Sequence, residues 1–223
     1  TVRIELTGEV SIEEGAVHVY KKDGTEITET TSGLFKLEDG VYRLDGGIYT
    51  YEASAKGYAP KTGTFSVGKQ DKTVAVELIA YRTITFDLTP ADAQIKVYDI
   101  EGKEIAANED GTYSLVDGTY SYEVVREGYW SENGTFTVDK TDQTLTIDMD
   151  ETYIIGFDAN LSVVQNLIIV VTSDDGTEMV AEEDGTYLLK NGKYSYKASA
   201  RGYEDLRETF TVESGAKTVP LNF

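Results

Sequence analysis

Carboxylates are the residues in this chain with the most chemistry to offer: forty Asp and Glu stand against twenty Lys and Arg. Several gather in turn-like clusters: Asp174-Asp175-Gly176, Glu182-Glu183-Asp184-Gly185, Asn108-Glu109-Asp110-Gly111 and Glu38-Asp39-Gly40. Clusters that offer only oxygen suit calcium, and the candidate ligands are Asp174, Asp175, Glu183, Asp184, Glu109 and Asp110. None of the clusters has the EF-hand spacing D-x-[DN]-x-[DN]-G. Asp and Gly are also favoured in hairpin turns for their own backbone reasons, so solvated turns are the competing reading. Calorimetry with millimolar Ca²⁺ separates the two, since no heat and no rise in melting temperature removes the metal.

Catalysis finds less to work with. Paired carboxylates can support glycoside hydrolysis, but forty acids produce many accidental pairs. The sole histidine, His18, sits on the strand face opposite Val17 and Val19 and aligns with Lys96 in a second copy of the same pattern, which reads as an exposed strand residue. Cysteine is absent, removing thiol nucleophiles, disulfides and cysteine metal sites together. No Gly-rich phosphate loop opens a helix. The expectation is a non-enzyme that needs no cofactor. For ligand contact the candidate is Trp130, which follows a Gly-Tyr bend where a loop should be exposed and which can stack on a sugar ring or a partner. Covering a gap against a neighbouring domain is its other reading. Tyr98 and Tyr20, expected to face outward, are its weaker companions.

What positions these residues is a threefold repetition. The segment from Gly40-Val41-Tyr42 to Gly57-Tyr58 recurs from Gly111-Thr112-Tyr113 to Gly128-Tyr129, and again from Gly185-Thr186-Tyr187 to Gly202-Tyr203. From Ile95 to Met149 the middle copy aligns without gaps onto Ile169 to Phe223, identical at about two positions in five. The spacing makes each unit a small domain rather than a solenoid rung, with expected boundaries at 1–80, 81–151 and 152–223. The first copy carries extra residues at Thr7 to Glu14 and Thr28 to Asp39, in polar stretches that tolerate insertion. Residues serving the fold should recur in all copies, which makes a residue confined to one copy the better functional candidate.

Within the middle copy Ile84, Phe86 and Leu88 alternate with polar residues, as do Ile95 and Val97, the period-two signature of half-buried strands. Glu101-Gly102 marks a hairpin turn, Tyr120, Tyr122 and Val124 share a longer strand, and Phe136, Val138, Leu145, Ile147 and Met149 complete about seven short strands. The fold class expected is all-β: three tandem Ig-like or prealbumin-like β-sandwich domains. The sixteen tyrosines are read mainly as core. Tyr194, Tyr196, Ala198 and Ala200 share one strand face, as do Tyr49, Tyr51, Ala53 and Ala55, and a buried tyrosine needs an outlet for its hydroxyl. Tyr58, Tyr129 and Tyr203 of the Gly-Tyr motif are placed in the core with them. Gly46-Gly47, Asp117-Gly118 and Asn191-Gly192 are expected to need positive φ in tight turns.

The formal net charge of −20 is spread over all three copies but peaks in the middle one, with five basic against sixteen acidic residues. Such a surface repels nucleic-acid phosphates and anionic lipid, and no apolar run reaches the length of a membrane span, so neither partner is expected. The chain begins at Thr1 without a start methionine or signal peptide, as a piece of a longer polypeptide would. Its two inter-copy links lack Gly, Pro and Ser-rich tracts, so a semi-rigid, monomeric rod of roughly 90 to 120 Å is expected. A maximum dimension near 60 Å would sink that.

The pattern G-x-Y-x-L-x-x-G-x-Y-x-Y, then G-Y, then F-x-V and a closing alternating strand resembles PEGA-type repeats and the wider prealbumin-like set, which includes Cna protein B-type and carboxypeptidase regulatory-like domains. The resemblance implies a stalk, spacer or adhesive segment at a bacterial cell surface or secreted from it, with a protein or glycan as partner. Many Cna B-type relatives crosslink a first-strand lysine to a last-strand Asn or Asp. Here Val2 to Leu6, Arg82 to Leu88 and Tyr153 to Ala159 contain no lysine, so Asn222 lacks a partner and no isopeptide bond is expected. The alternative from a different class is a carbohydrate-binding array, which should repeat its exposed aromatics; Trp130 does not repeat. A glycan array with Trp130→Ala as control discriminates the two.

Overall fold

In the computed structural model, which describes residues 1–9, 12, 14–31, 35–38, 40–159 and 166–223, the chain is all-β. The first copy supplies β1 (Val2–Thr7), β2 (Gly15–Tyr20), β3 (Phe35–Glu38), β4 (Val41–Arg43), β5 (Gly47–Ala55), β6 (Lys61–Val67) and β7 (Lys72–Glu77). The middle copy supplies β8 (Arg82–Thr89), β9 (Gln94–Tyr98), β10 (Glu104–Ile105), β11 (Tyr113–Leu115), β12 (Gly118–Val125), β13 (Glu132–Val138) and β14 (Gln143–Asp148). The third has β15 (Thr152–Ala159), β16 (Ile168–Ser173), β17 (Tyr187–Lys190), β18 (Gly192–Ser199), β19 (Leu206–Val212) and β20 (Lys217–Leu221). Where the middle copy has β10, the other two have single bridges, Tyr20 to Glu26 and Thr172 to Glu178. The seventh strand of the first copy is instead β3, drawn from the insertion at 28–39, where a polar loop was expected; it pairs with β4 across an irregularity between Lys36 and Glu38. The acidic turn Glu38-Asp39-Gly40 includes Asp39, which lies outside the described residues.

Two compact units result, one of Thr1–Thr85, Ala106–Tyr120 and Phe136–Thr144, the other of Phe86–Ile105, Ser121–Thr135 and Leu145–Phe223. In the first, the sheets β3-β4-β1-β7 and β2-β5-β6 face each other across one core. Val2, Ile4, Tyr42 and Val76 come from one sheet and Val17, Val19, Tyr49, Tyr51, Ala53 and Phe65 from the other. In the second, β17-β15-β20 and β16-β18-β19 do the same, with Ile155, Tyr187 and Val219 meeting Val171, Tyr194, Tyr196 and Phe210. The middle copy's sheets have the orders β11-β8-β14 and β10-β9-β12-β13. Strands alternate buried and exposed along their length, as β5 and β18 illustrate, because a pleated strand sends successive side chains to opposite faces.

In the first and third copies the first and last strands are neighbours and run parallel. β1 pairs with β7 from Val2–Lys72 to Thr7–Glu77, and β15 pairs with β20 from Ile155–Lys217 to Ala159–Leu221.

The recurring tyrosines take the hydroxyl outlet that burial demands. Tyr49 donates to the Asp45 carbonyl at 3.1 Å, Tyr120 to Val116 at 2.9 Å and Tyr194 to Lys190 at 2.9 Å, each four residues back. Each ring also stacks on the phenylalanine of the next strand: Tyr49 on Phe65, Tyr120 on Phe136 and Tyr194 on Phe210, with centroids 5.8, 5.7 and 5.6 Å apart. A pair of this kind adds about 0.5 to 1.5 kcal/mol beyond its buried area.

Two expectations are corrected. The glycines Gly46, Gly47 and Gly118 do not have positive φ; of the turn glycines named, Gly192 does, at 159°. Gly47, Gly118 and Gly192 open their strands, and a Cβ there would lie 3.5 Å from the ring of Tyr49, Tyr120 or Tyr194. The Gly-Tyr tyrosines also do not share one environment. Tyr58 is 7% exposed and Tyr129 half-buried, whereas Tyr203 is 44% exposed and leans on Phe223.

Candidate functional site

The features that depart from plain scaffold gather where one copy hands over to the next. Each Gly-Tyr motif is a tight turn. Tyr58 N–H donates to Ala55 O at 3.1 Å, Tyr129 to Arg126 at 3.1 Å and Tyr203 to Ala200 at 3.2 Å. Gly57, Gly128 and Gly202 supply φ of 80°, 80° and 91° at the third position, the left-handed backbone that a side chain opposes.

At the first two turns the link to the next copy is laid alongside as a short bridge. Tyr58 faces Ala80 and Tyr129 faces Glu151. Ala59 N–H donates to Ile79 O and Tyr81 N–H to Gly57 O, both at 2.9 Å. Trp130 N–H donates to Asp150 O and Thr152 N–H to Gly128 O, both at 2.8 Å. Both links therefore have the same main-chain geometry despite their different sequences.

Side chains then diverge. At the first link Arg82, only 16% exposed, is hydrogen-bonded to Glu9 from the insertion of the first copy, and its Nε stands 3.9 Å from Asp117. That separation holds an ion pair but no hydrogen bond, and Nε has no hydrogen-bond partner among the described residues. The bond to Glu9 raises the guanidinium pKa further. At the second link Lys190 bonds Asp150 at 2.9 Å and holds its ammonium 5.7 Å from the centre of the Trp130 ring. Asp150 keeps Lys190 protonated above the usual lysine range. Beside it, Arg126 forms two 2.8 Å bonds to Asp92 and lies over Tyr129 at 5.2 Å. Tyr153 donates to Glu151 at 2.9 Å.

Trp130 is thus half-buried at the second link with a cation over one face, not a free loop aromatic. Lys190 and Asp150 were absent from the sequence-level candidates. A signal existed: Lys190 aligns with Val116 and Asp45, so it is peculiar to its copy just as Trp130 is to the copy before.

The other candidates are dispersed. Tyr20 and Tyr98 are half-buried on the sheet surface and donate to Glu52 at 3.0 Å and to Glu123 at 3.4 Å. His18 is exposed, with Nδ1 2.6 Å from Glu26. Asp110 and Asp184 each accept from the backbone N–H and hydroxyl of the threonine two residues on, Thr112 or Thr186, and Asp175 accepts from Ser173 and Thr177. These bonds hold all three carboxyls below the usual aspartate range. Asp174, Glu109 and Glu183 are exposed. Among the described residues no three His, Asp or Glu converge on a point that could hold a metal ion, and no helix is long and apolar enough to cross a membrane.

No family model matches the chain, and no curated protein matches it in sequence. Among solved structures it is similar to the Bacillus anthracis TIE protein, at 18% identity and a TM-score of 0.28, covering 99% of this chain and 49% of that one. It spans about half the length of that protein. It is also similar to BcpA, the major pilin subunit of Bacillus cereus (13% identity, TM-score 0.28, covering 99% of this chain and 98% of that one). The pilus adhesin SpaC from Lactobacillus rhamnosus GG is similar at 11% identity and a TM-score of 0.27, over 96% of this chain and 38% of that one.

Proposed function

We propose that the chain is a non-catalytic, tension-bearing spacer, built of three β-sandwich domains at 1–80, 81–151 and 152–223, in a bacterial cell-surface or secreted protein. The observation that carries the reading is the parallel pairing of first and last strands, β1 with β7 and β15 with β20. Parallel neighbours begin at the same edge of a sheet, so a copy is entered at one end of the pair and left at the other. A pull on the chain then runs along the strands. The hydrogen bonds between them share the load in shear instead of opening one at a time, as they would in a hairpin pulled from its two ends. The surface context is supported by the resemblance to Cna B-type and PEGA-type repeats.

Single-molecule stretching tests this. Three separate unfolding events are expected, each releasing about 240 Å of chain at roughly 3.4 Å per residue. A single event, or extension without measurable resistance, would overturn the reading.

A further inference from the structure

The sheets β2-β5-β6 and β16-β18-β19 carry a shallow groove at equivalent positions of their outer faces. In the first copy Tyr20, Thr50, Glu52, Thr62 and Thr64 border it; in the third Thr172, Ser195, Lys197, Arg207 and Thr209 stand in the same places. Strand register fixes the match. Tyr20 lies across from Thr50 and Glu52 from Thr62, as Thr172 does from Ser195 and Lys197 from Arg207. What changes between the two is charge. Lys193 stands where the other copies have Ile48 and Thr119, and Lys197 where they have Glu52 and Glu123. On the next strand Arg207 replaces Thr62 and Asn133. The core beneath does not ask for this, since Tyr194, Tyr196 and Phe210 repeat Tyr49, Tyr51 and Phe65. A chain with twice as many acidic as basic residues thus gathers three cations on one sheet face. Carboxylates also border the groove: Asp205 pairs with Lys197 at 3.0 Å, and Glu208 accepts the Tyr196 hydroxyl at 3.1 Å. Glu178, bridged to Thr172, has its counterpart in Glu26 and does not distinguish the copies. Among the described residues Lys193 and Arg207 have no carboxylate within ion-pair reach.

We propose that the outer face of β16-β18-β19 binds a carboxylate-bearing polysaccharide. Lys197 and Arg207 hold one carboxylate and Lys193 another, about 13 Å away along the strand, while Thr172, Ser195 and Thr209 meet ring hydroxyls between them. Size argues for a polymer. The groove has a volume of about 250 Å³, below the roughly 300 to 1,000 Å³ that buries a small molecule, so a ligand gains by extending across the sheet. Chemistry argues for sugar over peptide. A peptide adds to a sheet through main-chain bonds at an edge, whereas this face offers hydroxyls and cations, and the guanidinium fork of Arg207 suits a carboxylate. The matching groove of the first copy, with Glu52 in place of Lys197, repels the same ligand. The inference goes beyond the spacer reading and stands whether or not the chain bears load.

The test is calorimetric titration of the 223-residue chain with a soluble oligogalacturonate. Binding is expected, and it should weaken as salt rises because the cations are solvent-facing. The methyl-esterified oligomer, with the same rings and no charge, should bind about tenfold or more weakly. The same loss is expected for the chain carrying Lys197→Glu with Arg207→Thr, which gives the third groove the residues of the first. Lys197→Gln with Arg207→Gln removes the charges without reversing them and should also lose binding, with an unchanged melting temperature as the sign that the fold is intact. Absence of binding by the unaltered chain, or undiminished binding by the folded Gln variant, would overturn the proposal. So would equally tight binding of polyglutamate, since the face would then answer to charge on any polymer. Self-association of the chain alone that the Gln variant abolishes would overturn it too, because the occupant would be a second copy.

Discussion

The link at Tyr58–Ala80 and the link at Tyr129–Glu151 share one backbone arrangement and almost no side chains. The first is closed by an arginine between two carboxylates, Glu9 and Asp117. The second is closed by a tryptophan under a lysine that is itself held by Asp150. The difference separates two jobs. Turn and bridge place the next strand, and a glycine with two main-chain bonds suffices for that. Side chains then set how firmly each link is held and which conditions loosen it.

The shared part should give the largest response. A methyl group at Gly57 or Gly128 would meet nothing within 4 Å, so its entire effect is conformational. Gly57→Ala and Gly128→Ala should each destabilise by about 1 to 2 kcal/mol, the cost of holding an L-residue in left-handed backbone. The check is urea denaturation, and strongly unequal effects would break the equivalence of the two links.

Next is the distinctive part of the second link. Lys190 is 37% and Asp150 60% exposed, so solvent screens most of their attraction. Lys190→Ala should destabilise by no more than about 1 kcal/mol, yet it uncovers the only tryptophan in the chain. Emission from Trp130 should shift to longer wavelength, while Glu9→Gln at the first link should leave that emission unchanged. An unshifted spectrum in Lys190→Ala would mean that the lysine does not shield the ring.

Smallest is the response to acid, to which the turn aspartates contribute together with Asp92, held below the ordinary aspartate range by Arg126 beside the second link. Asp110, Asp175 and Asp184 have folded-state pKa values below the ordinary 3.8. The folded chain therefore binds fewer protons than the unfolded one, and the contribution is fully present above about pH 4. It fades as pH falls through the lowered values. Melting temperature should begin to drop below that point, and Asp110→Asn with Asp184→Asn should flatten the dependence. A drop that begins near pH 6 would implicate other groups.

Much of the fold was legible in the sequence because it is written as alternation and repetition. Tyr49, Tyr120 and Tyr194 fall on the apolar faces, and their hydroxyls find carbonyls as burial requires. What was not legible depends on meetings between distant segments. Tyr203 carries the same local pattern as Tyr58, yet it is 44% exposed where Tyr58 is 7% exposed. Trp130 follows a turn, as an exposed loop residue would, and Lys190, sixty positions on, lies over its ring. The strand β3, Phe35-Lys36-Leu37-Glu38, alternates apolar and polar residues but is only four residues long inside a polar insertion, and its pairing with β4 could not be read from so short a run. The acidic turns were legible as turns, and their Asp–Thr hydrogen bonds follow from the residue types alone.

The pairing of first strand with last also bears on how the chain is made. As synthesis proceeds, β1 emerges first yet must wait for β7, some seventy residues later, before its partner exists. During that interval an unpaired edge is exposed, and the next copy offers a closely similar last strand. Exchange of such strands between copies is a characteristic failure of repeat proteins. The middle and third copies differ at about three positions in five over their aligned stretch, so their last strands are not identical partners.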